Sequence, residues 1–318
     1  MAEIISRVMF TGDDHLSSKN YGGHKDYPKE SMYYFKKMHE FAKEYHATHW
    51  ISLGDFTYGR FGADLNYRQE VEHELESQLK TMNGNHWMIK GNHDTASNGM
   101  TEFEFYAGRL FKTAEDLEIG NVVLHMRDYG DMTGIDATDG RVHIIVTHGF
   151  FSFKGANMNT FGAALMLDDK ADWAGVQYII SGHIHEEHVF KGFIGNGSNA
   201  YPTFLHYLPC NARPAYHREE TPTKGAISFL DVYDNGEVQY NRVEFDLLPI
   251  QQCFNVEEAE KADKPVTGGV DLSDIVGSLD SHEIKVGNPE DIIMGMEQLP
   301  IRYREKAVDY LKQTADRS

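Results

Sequence analysis

Glu3-Ile4-Ile5-Ser6-Arg7-Val8-Met9-Phe10-Thr11-Gly12-Asp13-Asp14-His15 is the stretch whose reading decides the fold. Residues 3–11 are rich in β-branched and apolar side chains, and the run breaks at Gly12 into a polar loop reaching about Pro28. That is the pattern of a buried strand delivering chemistry to its C-terminal edge. Asp13 and His15 stand two apart, so on an extended backbone they project to one side and offer an oxygen and a nitrogen to a cation. In isolation such a tripeptide is more often a capped loop.

Working outward, Met32, Phe35, Met38 and Phe41 fall at helical spacing within residues 29–45, and residues 48–53 form an apolar run ending at Gly54. A second helical pattern over residues 67–82 leads into the run 86–89, which stops before Gly91. Strand, helix, strand, helix, strand predicts a layered α/β domain. A short helix is expected over 101–107, and strands over 121–125, 142–147, 176–180 and 188–193. Residues 227–233 and 237–245 read as a hairpin, with Asn235-Gly236 supplying the positive φ of a tight primed turn. The organisation expected is a main domain over 1–250, an acidic linker with Pro and Gly over 251–270, and a small helical appendage over 271–318.

The chain of 318 residues carries 30 Lys and Arg against 49 Asp and Glu, a formal charge of −19, which excludes a broad basic surface of the kind that holds nucleic acid by counterion release. Two cysteines exclude a disulfide framework and suit a reducing interior. No run approaches the roughly 20 apolar residues that span a bilayer, and the first residues lack a signal-peptide pattern, so a cytoplasmic protein is expected. The unusual feature is 17 histidines.

Four further segments carry ligand-type side chains, each just after an expected strand. Gly54-Asp55 places a carboxylate whose two oxygens can bridge two ions, at a strand end where Gly lets the chain turn. Gly91-Asn92-His93-Asp94 combines an amide oxygen, an imidazole able to donate a proton and a carboxylate able to orient it. Thr147-His148-Gly149 adds one imidazole, and Gly182-His183-Ile184-His185 adds two on one face of an extended backbone. Each alone could be a turn; as an ordered set at strand ends they point to a metal centre.

In that order the motifs resemble the signature of the calcineurin-like metallophosphoesterases: Asp-x-His, Gly-Asp, Gly-Asn-His-Asp or Glu, His, and Gly-His-x-His, matched here across roughly residues 8–200. The resemblance implies an α/β fold, a sandwich of two mixed sheets flanked by helices, with the motif loops gathered at one edge. It implies one metal held by Asp13, His15 and His185 and another by Asn92, His148 and His183, with Asp55 bridging. Oxygen and imidazole donors without thiolate suit two manganese or iron ions, with zinc a third choice. Such a pair would activate water for in-line attack on a phosphoester. His93 would protonate the leaving alkoxide or contact the scissile phosphate, and Asp94 would hold the His93 ring.

Within the superfamily, Thr11-Gly12-Asp13-Asp14-His15-Leu16 and the third and fifth motifs resemble SbcD-like nucleases of DNA repair and recombination, phage recombination-endonuclease subunits included. That resemblance implies manganese-dependent DNA cleavage and pairing with an SbcC-type coiled-coil ATPase through the C-terminal helices, or with a second copy of the chain. Tyr58 stands where those nucleases usually have Asp or His. Tyr58 and Arg60 lie in a loop expected to border the site, as candidate substrate contacts by stacking and by Arg–phosphate pairing. The competing enzyme reading is a stand-alone phosphodiesterase for a small or cyclic nucleotide, to which an acidic surface is no obstacle. A non-catalytic scaffold would be expected to have lost ligands, and none is missing.

Overall fold

Strand β1 (Ile4–Thr11) is central because both its faces find apolar partners. Val8 and Phe10 point into the space between two sheets, while Met9, one residue out of phase, points the other way toward helices. The computed structural model describes residues 2–20, 23–58, 64–95, 101–153, 165–195, 200–213 and 221–256. The chain divides into a main unit, Met1–Ala156 with Ala164–Ala262, and a second, Asn157–Ala163 with Asp263–Ser318, whose residues lie outside those described. The expected helical appendage lies outside the described residues, as does all of the expected linker beyond Val256.

Helix α1 (Tyr27–Glu44) starts two residues before the expected stretch 29–45, because Asp26 caps it by accepting from Lys29 N and Pro28 occupies its first turn. β2 (His49–Ser52) and β3 (His86–Met88) then extend the first sheet in parallel with β1, and α2 (Leu65–Thr81), capped by Asp64, joins them. After α3 (Glu102–Tyr106) come β4 (Asp116–Ile119), β5 (Val122–Arg127), β6 (Val142–His148), β7 (Phe151–Ser152) and β8 (Leu165–Met166). They are followed by β9 (Tyr178–Gly182), β10 (His188–Ile194), β11 (Tyr201–Tyr207), β12 (Lys224–Tyr233), β13 (Val238–Asp246) and α4 (Ile250–Cys253).

The five-stranded sheet runs β13-β12-β1-β2-β3 and the six-stranded sheet β10-β11-β9-β6-β5-β4, both mixed. Phe10, Ile51 and Leu230 of one meet Leu124, Ile144 and Ile180 of the other in the inter-sheet core. Met38, Phe41 and Ala42 of α1 cover Met9, Trp50 and Phe229 on the opposite face of the first sheet. This is the two-sheet sandwich flanked by helices that the motifs implied. None of the described helices is long and apolar enough to cross a membrane. The β12–β13 turn differs from expectation: positive φ occurs at Gly236 (84°) and not at Asn235, and Tyr233 N bonds Glu237 O. The connection is therefore a three-residue loop closing on a left-handed glycine, not a two-residue primed turn.

A polar clasp crosses the sandwich. Arg242 of β13 pairs with Glu187, which also accepts from His206 Nε2 at 3.0 Å, and His206 Nδ1 meets the Tyr240 hydroxyl, itself bonded to Ser228. Burial alone would raise the Glu187 carboxyl; the hydrogen bonds from His206 and Arg242 outweigh it and hold the pKa down to about 2 from an ordinary 4.5. The carboxylate's contribution to stability is thus present above the unfolded value and lost as pH falls through the folded one. Glu187→Gln should cost about 1 kcal/mol at neutral pH, screened because the pair is partly exposed, and the difference from wild type should close between about pH 5 and 2 in urea melts.

Candidate metal centre

Five segments leave the C-terminal ends of parallel strands and meet. Asp13 follows β1, Asp55 follows β2, Asn92 follows β3, His148 ends β6, and His183 and His185 follow β9. His15 Nε2 lies 2.9 Å from His185 Nε2, 3.7 Å from Asp13 Oδ2 and 3.8 Å from Asp55 Oδ2. These four residues place one ligand atom each within 4.8 Å of one another. Beside them, Asn92 Oδ1 lies 2.9 Å from both His148 Nε2 and His183 Nδ1, which are 3.2 Å apart, and His148 Nε2 is 3.3 Å from Asp55 Oδ2. Asp55 thus belongs to both groups.

Donors around an ion with ~2.1 Å bonds stand about 3 Å apart, which is the spacing found. Among the described residues, the ion partners of Asp13 and Asp55 are all histidines, with no Lys or Arg supplying charge. An inward-facing set of oxygens and imidazole nitrogens with no other counter-charge fits two divalent cations, one in each group, with the Asp55 carboxylate between.

The backbone is bent to make this possible. His15 (φ 46°), Asp55 (φ 44°) and His183 (φ 81°) are three of five non-glycine residues with positive φ among those described. Each such conformation costs about 1 kcal/mol or more and persists only when its surroundings fix it. Here His15 N bonds Asp55 O, Leu16 N bonds Phe56 O, and Tyr58 N bonds Leu16 O, so the first two motif loops are zipped together. His183 N donates to both Asp13 oxygens at 3.1 Å. Gly182 is required by clearance: a Cβ there would fall 2.2 Å from Asp13 Oδ1 and 2.8 Å from Leu53 O.

Burial pushes the Asp13 carboxyl up to about 7, with Asp55 reinforcing the shift and His148 opposing it. Burial also disfavours the charged forms of Asp55 and His148, but their mutual attraction wins, holding Asp55 well below the carboxylate range and lifting His148 to about 9. Desolvation drives His15 well below its ordinary value and His183 down to about 4. His148 Nδ1 lies 2.8 Å from Leu53 O, which in the neutral ring leaves the Nε2 lone pair facing Asn92 and Asp55.

His93 is held at the rim. Its backbone N–H donates to Asp55 Oδ1 at 2.8 Å, its Nε2 lies 4.0 Å from Asp55 Oδ2, and its ring sits 5.2 Å from that of Tyr58 and 5.3 Å from that of His15. The hold of Asp94 on the His93 ring, expected from sequence, is not found. Asp94 is fully buried and spends its oxygens on the amides of Phe56, Thr57 and Gly91 at 3.0–3.1 Å, joining the second and third motif loops. Three interior N–H groups donating to it hold the carboxylate more strongly than a partly exposed ring could. Burial, reinforced by Asp55, pushes this carboxyl up to about 7 despite the three amides.

Tyr58 packs its ring edge-on to His15, whereas Arg60 lies outside the described residues. Two contributors were not read from the sequence. Residues 208–213 brace the centre: Asn211 donates through its backbone to Asp13 O and through Nδ2 to Gly12 O and Asp14 Oδ1, and Cys210 N bonds His185 O. Tyr129 lays its ring 5.8 Å from that of His183 and 6.0 Å from that of His148. Nothing in either segment repeats a ligand motif; only tertiary pairing brings them here.

No family model and no curated protein matches the sequence. Among solved structures, a dimetal phosphatase from Danio rerio is 10% identical with a TM-score of 0.45, covering 77% of this chain and 100% of that one. Vps29 of Chaetomium thermophilum is 11% identical with a TM-score of 0.34, covering 76% of this chain and 100% of its own. YfcE, a phosphoesterase from E. coli, is 14% identical with a TM-score of 0.36, again covering 76% of this chain and 100% of its own. At this level of similarity the activity is read from the chain's own residues alone.

Two outcomes are expected. Gly182→Ala should weaken manganese binding at least about tenfold in calorimetry while retaining the far-UV spectrum of the fold, since the added methyl displaces Asp13. Because Asp13, pushed up to about 7, and His148, lifted to about 9, hold protons that a cation must displace, affinity should rise with pH from about 6 to about 9, with proton release visible as a dependence on buffer ionisation enthalpy.

Proposed function

We propose that this chain is a phosphodiester hydrolase built on a dinuclear metal centre and, more finely, a manganese-dependent DNA nuclease of the SbcD kind. The observation that carries the hydrolase reading is the sharing of Asp55 by two ligand groups: Asp13, His15 and His185 on one side, and Asn92, His148 and His183 on the other. When bound, two divalent ions there would lower the pKa of water and neutralise phosphate oxygens during in-line displacement.

The chain's own residues do the rest. Asp55 fixes the His93 backbone by accepting its N–H, which sets the imidazole at the rim and not inside the cage. The ring is partly exposed and braced by Tyr58, so His93 Nε2 is the group available to give a proton to a departing alkoxide. Asp94 acts through the backbone, keeping the Asp55 and Asn92 loops at fixed separation. His15 and His148 have no exposed surface, which keeps bulk water off the interior side of the centre.

The finer reading rests on the motif set, and the SbcC-type ATPase partner and its docking through residues 271–318 belong to it. The formal charge of −19 favours a second reading, a stand-alone phosphodiesterase for small nucleotides, because a polyanion then needs no extended basic track. Manganese-loaded protein should hydrolyse bis-p-nitrophenyl phosphate. His93→Ala should bind manganese normally yet lose about 100-fold or more in kcat, and Asp55→Ala should lose both binding and turnover. Equal turnover by His93→Ala would remove the proton-donor role. End-labelled DNA against cyclic mono- and dinucleotides, with and without a candidate ATPase, decides between the two substrates.

A further inference from the structure

Tyr129 is a large aromatic ring left 46% exposed against two histidines of the centre. Its place is built. The turn 128–131 that follows β5 closes through Asp131 N to Asp128 O, with Gly130 at φ 82°. The turn is then fastened to the segment entering the third motif: Tyr129 N donates to Lys90 O, and Lys90 N donates to Asp128 Oδ1, both at 2.8 Å. Among the described residues the Tyr129 hydroxyl makes no hydrogen bond, so polar pairing does not account for the ring. On the other flank, Tyr58 stands 5.2 Å from the rings of both His15 and His93. Each half of the centre is thus bordered by one tyrosine ring.

We infer that Tyr129 is a stacking platform for the nucleobase beside the scissile phosphate, which makes the substrate class a nucleotidyl diester. The inference rests on the phosphodiesterase reading and narrows it: an unsubstituted phosphate or a purely alkyl diester has no use for a ring on this flank, whereas every base offers a π-face to it. A phosphate held by cations bound at Asp55 and its neighbours would place its leaving ester oxygen opposite the attacking nucleophile and its retained ester oxygen to the side of that axis, so the nucleoside on either oxygen would extend along the rim. Tyr129, nearly half exposed, stands at that rim on the His148 and His183 side.

The test compares full-length wild type, Tyr129→Phe and Tyr129→Ala, loaded with manganese, on a short oligonucleotide and on the same oligonucleotide with an abasic residue beside the cleaved bond. Tyr129→Ala should raise KM for the base-bearing substrate about tenfold or more with kcat nearly unchanged, Tyr129→Phe should match wild type, and the abasic substrate should not distinguish the three. A second readout avoids turnover: with calcium in place of manganese, quenching of a 2-aminopurine dinucleotide should be lost in Tyr129→Ala and kept in Tyr129→Phe. Unchanged KM and quenching in Tyr129→Ala, or equal losses on both substrates accompanied by weaker manganese binding, would overturn the inference and leave the hydrolase reading standing. Failure of wild type to cleave either oligonucleotide would instead remove the nuclease reading, with the quenching comparison still deciding for or against stacking at Tyr129.

Discussion

Asp13 and Asp55 sit inside a shell of imidazoles whose nitrogens face inward, and no Lys or Arg among the described residues answers their charge. A buried carboxylate left alone costs several kcal/mol, so the arrangement is tolerable only when protons or cations fill it. Burial drives Asp13 toward its protonated form, while the mutual attraction of Asp55 and His148 favours their charged forms. The same repulsion that makes the shell costly makes it a good host for divalent ions, and the rest of the edge is arranged to stop it from relaxing.

That arrangement is mostly backbone. The zipper from His15 to Asp55 and from Leu16 to Phe56, the carboxylate of Asp94 on three amides, and Asn211 on the Gly12 and Asp13 carbonyls hold four loops against one another. Side-chain ligands on independent loops would drift apart under their mutual repulsion; ligands on loops that share hydrogen bonds cannot. The positive φ at His15, Asp55 and His183 is the visible consequence, since the chain accepts a disfavoured conformation where the side chain must turn inward.

Much of this was legible in the sequence because strand ends and ligand motifs coincide. The apolar runs leading to Gly12, Gly54, Gly91 and His148 mark parallel strands, and the residues just beyond them are the ligands. What escaped has physical reasons. β4, Asp-Leu-Glu-Ile, is a four-residue edge strand with too little apolar content to stand out. β11 carries Pro202, which argues against a central strand, but its parallel ladder with β9 begins only at Phe204, so the missing N–H falls before it is needed there. Asp94 looked like the partner of its neighbour His93, yet buried amides were the stronger claim, and neighbour spacing along the chain says nothing of which interior donors lack acceptors. Tyr129 is held at the centre by tertiary pairing of its turn with Lys90, a contact between residues 39 apart that no local pattern encodes.

The acidic balance of the chain follows a related logic. A protein of formal charge −19 repels a phosphodiester over most of its surface, and the two carboxylates of the centre add to that repulsion. Two divalent ions would reverse the sign of the potential locally and nowhere else. Phosphate binding on such a molecule would then depend on metal loading more steeply than on a basic one, because the net acidic field opposes the substrate when the ions are removed. The aromatic rings at the rim suit that setting, since stacking carries no charge and is insensitive to the surrounding acidic field. A cation-filled cage for the phosphate and neutral rings for the groups it carries divide recognition between an electrostatic contact that is local and a dispersion contact that ignores net charge.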